Sequence, residues 1–129
     1  MSKKIALVGH CGPDSSYLRM TVAKAGRDFQ VVSADDDVEL KQQLEDGVDL
    51  LLLNRELDYG FDERTGVALI QRIRAAYPNV KTMLVSNYPD AQQAALQAGA
   101  LPGFGKRELG SPRVPELIRA ALEGQPAAT

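Results

Sequence analysis

The sequence predicts an α/β domain, with five strands in one parallel sheet covered by helices on both faces as a three-layer sandwich. Three observations carry this. Short apolar runs alternate with amphipathic stretches five times within 129 residues. The run "VDLLLLN" (48–54) is apolar almost without interruption, as in a strand buried on both faces. Each strand is followed by a helical stretch, and such repeats require right-handed crossovers and parallel pairing.

The first strand is "KIALVG" (4–9), ending in glycine. Asp14 or Ser15 can cap a helix that runs to about Gly26 with Leu18, Val22 and Ala25 on one face. "FQVVS" (29–33) is the second strand, and "DDDVELKQQLEDG" the second helix. Its acids lie at the positive end of the dipole, and its glycine permits a left-handed cap.

After the third strand, 48–54, comes the long polar loop "RELDYGFDERTG". The helix "VALIQRIRAAY" follows, with Leu69, Ile70 and Ile73 inward and Pro78 closing it. "VKTMLVS" (80–86) is the fourth strand, "DAQQAALQAGA" the fourth helix and "PGFG" a short fifth strand. Ser111 caps a last helix that accepts Pro112 and Pro115 in its first turn. Residues 1–123 make one domain, and 124–129 a flexible tail.

Composition narrows the function. Hydrophobic residues at 44% and charged residues at 25% suit a globular protein with a core. A net charge of −2 carries no basic excess for direct nucleic-acid binding. No run approaches the ~18–20 apolar residues that span a bilayer, and "MSKKIALVGH" is too short in apolar residues for a signal core. The single cysteine, Cys11, excludes an internal disulfide and fits a reducing compartment, so a cytoplasmic location without membrane contact is expected.

Parallel sheets place ligands beyond the carboxyl ends of their strands. That rule selects Gly9 to Pro13, Asn54 to Asp58, Ser86 to Tyr88, and Lys106.

Taken in order, "VDLLLLN", "TGVALIQRIRAAYP", "MLVSN" and "AGALPGFGK" resemble the third strand, third helix, fourth strand and fifth strand of response-regulator receiver domains. The resemblance covers nearly the whole chain. It implies a flavodoxin-like fold with strand order 2-1-3-4-5 and a place in two-component or phosphorelay signalling. It also implies roles for single residues. Asn54 stands where the family has its phosphoacceptor aspartate, Ser86 at the phosphoryl-contacting hydroxyl, and Lys106 at the lysine that pairs with it.

Gly9 and His10 stand where an acidic pair would hold magnesium, and Asp14 lines up with a helix-start acid. Gly103 occupies the aromatic switch position, while Phe104 beside it points to the opposite face. Arg107 replaces the proline after the lysine; a non-proline cis bond costs ~3 kcal/mol, so a trans bond is expected. The loop between Asn54 and Gly66 is longer than the family's.

An amide is a poor nucleophile, and neither glycine nor histidine gives magnesium a carboxylate oxygen. The sequence therefore reads as a degenerate receiver, or pseudo-receiver. It would act through a protein partner without phosphorylation, catalysis, metal or cofactor. The pocket of Gly9, His10, Asn54, Ser86 and Lys106 would be vestigial. Asn54 would be a polar plug bonded to loop backbone, able to accept a hydrogen bond from Lys106.

Partner contacts are expected at Tyr59 and Phe61, taken as exposed aromatics of the long loop, and at Leu117 and Ile118 of the last helix. The family suggests a dimer through the helix 4, strand 5, helix 5 face, with Ala94, Ala95, Ala98 and Leu101. The loop acids Glu56, Asp58, Asp62 and Glu63 read as solvated and offset by Arg55 and Arg64.

Two alternatives stay open: phosphorylation at another acid such as Asp58, and a phosphate-binding or phosphocysteine role for Cys11 in "GHCGPDSS". His10, the single histidine, can serve as acid, base, pH sensor or ligand, but has no second ligand at a matching spacing.

Overall fold

A computed structural model describes residues 3–57 and 60–123. The elements are β1 (Lys3–Val8), α1 (Gly12–Ala25), β2 (Phe29–Ala34), α2 (Asp37–Asp46), β3 (Leu50–Asn54), α3 (Gly66–Ala76), β4 (Lys81–Val85), α4 (Pro89–Gln97), β5 (Leu101–Phe104), a 3-10 turn (Lys106–Glu108) and α5 (Arg113–Glu123). All strand pairs are parallel, in the order β2-β1-β3-β4-β5. This is the expected flavodoxin-like arrangement. Asp58, Tyr59 and the expected tail at 124–129 lie outside the described residues.

Alternation along the central strands builds two cores. Ile5, Leu7, Leu50, Leu52, Met83 and Val85 face α1 and α5. Ala6, Val8, Leu51, Leu53 and Leu84 face α2, α3 and α4. Each of these side chains is essentially solvent-free, which explains why β3 reads as a continuous apolar run.

Caps fix the helix starts. Asp36 accepts from the backbone N–H of Glu39 at 2.8 Å, Thr65 from Ala68 at 3.2 Å, and Ser111 from Arg113 at 3.2 Å. Helix α1 begins earlier than expected, with Cys11 as its cap residue and Pro13 in the first turn. A proline fits there because that N–H has no partner within the helix. The shift places Asp14 inside the first turn, so its carboxylate is not used as a cap.

Three expected partner contacts are core residues instead. Leu117 and Ile118 pack with Val114, Ala121 and Leu122 against the sheet and α1, so the wide apolar stripe of α5 is taken up within the domain. Phe61 is only 7% exposed and joins Leu57 in the other core, because the long loop folds back over the end of β1. Fully burying such side chains stabilises by ~1.5–3 kcal/mol each. Ala95 is likewise buried and Leu101 half-buried. Among the described residues no peptide bond is cis, including the bond after Lys106.

Candidate functional site at the strand ends

The carboxyl ends of β1, β3 and β4 meet the turn after β5 at one end of the sheet. Asn54, the last residue of β3, lines two small cavities there. One, of about 160 Å³, lies between Asn54, Arg55, Ser86, Tyr88 and Lys106. The other, of about 270 Å³, is bounded by Gly9, His10, Cys11, Asp35 and Asn54.

Asn54 donates from Nδ2 to the carbonyl of Gly9 at 3.2 Å and to that of Glu56 at 3.0 Å. Both partners can only accept, so the amide nitrogen must face them. This is the expected bond to loop backbone, made at two points: the side chain ties the β1–α1 turn to the base of the long loop. An aspartate has no hydrogen to give either carbonyl at neutral pH. The expected hydrogen bond from Lys106 to Asn54 is not formed.

Gly9 lies at φ +74°, and a β carbon there would come within 2.6 Å of Leu57 and 3.6 Å of Phe61. Glycine is thus required twice, by the left-handed backbone and by the loop side chains pressed over it. Other described residues of the loop are tied down as well. Glu56 and Thr65 form an antiparallel bridge, and Leu57 N–H donates to Arg64 O at 2.9 Å. Gly60 O accepts from Asp37 N–H at 2.8 Å, and Asp37 accepts from Asp62 N–H at 2.8 Å.

Of the loop acids, Glu63 pairs with Arg72 of α3, which also pairs with Asp37, both at 2.8 Å, while Arg55 pairs with Glu56. Glu56 and Asp62 are exposed, as expected of a solvated charged loop, while Leu57 and Phe61 pack beneath them over Gly9. Among the described residues, no three His, Cys, Asp or Glu side chains come together as a metal site.

His10 turns inward, 7% exposed, with Nε2 2.8 Å from the carbonyl of Leu52. A carbonyl only accepts, so Nε2 carries the hydrogen. Nδ1 is buried with no hydrogen-bond partner among the described residues. Burial holds this imidazole below its ordinary range. The Lys106 charge adds to that effect, and the bond to Leu52 and the Asp14 charge oppose it.

Across the pocket, Ser86 is buried and its Oγ accepts from Tyr88 N–H at 3.1 Å, serving the turn after β4. Asn87 accepts from Arg107 N–H at 3.1 Å, and the Arg55 guanidinium lies 4.4 Å from the Tyr88 ring centroid. Lys106 reaches to Asp14, with Nζ 2.6 Å from Oδ2. The lysine's hydrogen bond holds the Asp14 carboxyl below the usual carboxylate range, helped by the Cys11 thiol beside it. Cys11 itself is exposed.

Gln92, in the first turn of α4, is a site residue that sequence reasoning missed. Its Nε2 faces three carbonyls, of Leu84 at 2.9 Å, Ser86 at 3.0 Å and Phe104 at 3.3 Å. It stitches the ends of β4 and β5 to α4. Gly103 makes this possible: a β carbon there would lie 2.2 Å from Leu84 O and 2.8 Å from Gln92 Oε1. At the switch position an amide thus stands against bare backbone, and Phe104 points into the core on the α1/α5 side as expected. The available signal was spacing, since Gln92 lies three residues before the buried Ala95 and shares its helix face.

The fold and the placement of its pocket define a class, the doubly wound α/β domains that build sites at strand carboxyl ends. Within it, the chain has the fold of response-regulator receiver domains. It is similar to the non-phosphorylated receiver domain of the stress response regulator RcsB from Escherichia coli, with a TM-score of 0.78 at 16% identity over 98% of this chain and 97% of that one. The signal receiver domain of an HD domain-containing protein from Pseudomonas fluorescens Pf-5 gives 0.73 at 23% identity, over 96% and 89%. RcsB from Salmonella typhimurium gives 0.80 at 15% identity over 99% of this chain, which spans 63% of that one. No protein-family model and no curated protein matches the sequence.

Proposed function

We propose that this chain is a signalling module that acts by binding a protein partner, as a pseudo-receiver that takes no phosphoryl group at the end of β3 and performs no catalysis. The observation that carries the reading is the use made of Asn54. Both of its amide hydrogens face carbonyl oxygens, at 3.2 and 3.0 Å. The residue at the acceptor position is committed to holding two loops together. Leu57 and Phe61 cover the neighbouring Gly9, where the resemblance places metal-binding acids.

The partner surface in this reading is the face of α4 and β5. Tyr88 and Leu96 are large apolar side chains exposed there, beside a groove of about 430 Å³ that includes Pro89, Pro102 and Arg113. The Gln92 stitch holds that face in one arrangement, so binding needs no prior switch. Its occupant is a cytoplasmic signalling protein or a second copy of the chain.

The test is intact mass after incubation with acetyl phosphate and magnesium, beside a working receiver as control. No added mass is expected on this chain while the control is labelled. A phosphoryl adduct mapped to any aspartate would overturn the reading, and one mapped to Cys11 would replace it with a phosphocysteine carrier.

A further inference from the structure

His10 is the buried titratable group that this reading leaves without a task. Its ring sits where β3, the β1–α1 turn and the start of α1 meet. It is bonded to Leu52 of β3, it follows the Gly9 carbonyl that holds Asn54, and it precedes the α1 turn that carries Asp14. Nδ1 is a bare acceptor enclosed without a donor among the described residues. The charges that act on the ring are Asp14 on α1 and Lys106 after β5. Asp35 borders the same cavity from the end of β2 but is exposed, Cys11 is an exposed thiol, and β3 contributes only the uncharged Leu52 and Asn54.

We propose that His10 is a proton-operated latch on the strand-end pocket, in which an imidazolium formed on acidification takes Asp14 away from Lys106 and releases the lysine toward Asn54 and Ser86. This rests on the pseudo-receiver reading, since it gives a module without phosphoryl input a different input at the same pocket. When Nδ1 gains a proton, the ring becomes a buried cation with a hydrogen and no acceptor, a costly state unless an anion reaches it. Asp14, in the first turn of the helix that His10 leads into, is the carboxylate placed to answer it, and Lys106 now holds it. The imidazolium and the ammonium then compete for one carboxylate, and their mutual repulsion favours the lysine's departure.

The sign follows from the direction of the shift. A histidine held below its ordinary pKa stabilises the folded state fully above ~6.5, the value in the unfolded chain. That contribution falls away as pH drops from there toward the folded-state value. The latch therefore opens on the acid side of the ordinary histidine range.

The experiment is an NMR titration of the unphosphorylated chain from about pH 8 to pH 5, following the His10 ring nitrogens and the Ser86, Tyr88 and Lys106 resonances. The ring is expected to titrate with a midpoint below ~6.5, and the pocket resonances to move with the same midpoint. Asp14→Asn should hold Lys106 in its acid-state position at neutral pH and remove the pH response there. Asp35→Asn should leave the coupling intact, and His10→Gln, which keeps a donor for Leu52, should abolish it.

Pocket resonances that stay still while the ring titrates, or that move alike in wild type and Asp14→Asn, would overturn the latch. The wild-type and Asp14→Asn arms decide the matter even where His10→Gln does not fold. A phosphoryl adduct would defeat the pseudo-receiver reading without altering this titration, so the two failures can be told apart.

Discussion

At the β1–β3 half of the pocket the residue types differ from those of the resemblance, and Leu57 and Phe61 pack over Gly9 beside the cavity that His10 and Asn54 border. At the β4–β5 half Ser86 and Lys106 match the residue types of the resemblance and are engaged by Tyr88 and Asp14. Asn54 and Gly9 lack the carboxylates of an aspartate and a metal-binding acid, and Leu57 and Phe61 close over Gly9. Ser86 and Lys106 have suitable chemistry, yet the serine serves the backbone of Tyr88 and the lysine is drawn to Asp14. A side chain's identity sets what it can do; its neighbours set what it does. In the proposed reading the first half is structural. The second keeps a charge that can be redirected.

The largest expected effect tests the β1–β3 half. Phe61→Ala should destabilise the fold by ~3–5 kcal/mol, the range for removing a buried aromatic. Urea unfolding measures it. An exposed partner-binding Phe61 would instead give a loss close to zero together with weaker binding. Asn54→Asp comes next. It replaces two donated hydrogen bonds with a carboxylate facing two carbonyl oxygens, at a cost of ~1–3 kcal/mol. The same unfolding curve reads that loss, and the variant should still gain no phosphoryl mass, because Leu57 lies over Gly9. A stable, labelled Asn54→Asp protein would mean that the site lacks only its acceptor.

The same contrast explains what could be read from the sequence. The sheet was legible because its signals are local: a continuous apolar run for β3 and a shorter one within β4, with a cap or glycine between segments. Asn54, Ser86 and Lys106 were legible as strand-end residues for the same reason. The roles of Phe61, Leu117 and Ile118 were not. An apolar residue in a polar loop looks exposed until the loop's path is known, and that path is set by Gly60 and Asp62 meeting α2 far away in sequence. The Lys106–Asp14 pair and the three contacts of Gln92 join segments through the fold, and no periodicity within either segment announces them.

The smallest expected effect concerns the retained half and discriminates most finely. The side chains of Lys106 and Asp14 are 35% and 29% exposed, so their pairing should be worth no more than ~1 kcal/mol. A double-mutant cycle of Lys106→Ala and Asp14→Ala isolates that coupling. Its pH dependence separates two descriptions. Asp14 is held below its ordinary range chiefly by Lys106, so a simple ion pair contributes above the unfolded carboxylate pKa and is lost only as pH falls through the folded one. If His10 competes for the carboxylate, the coupling should already fade in the histidine range, well above that point. Coupling that persists unchanged down to the carboxylate range would make the pair an ordinary surface contact, and the β4–β5 half as fixed as the β1–β3 half.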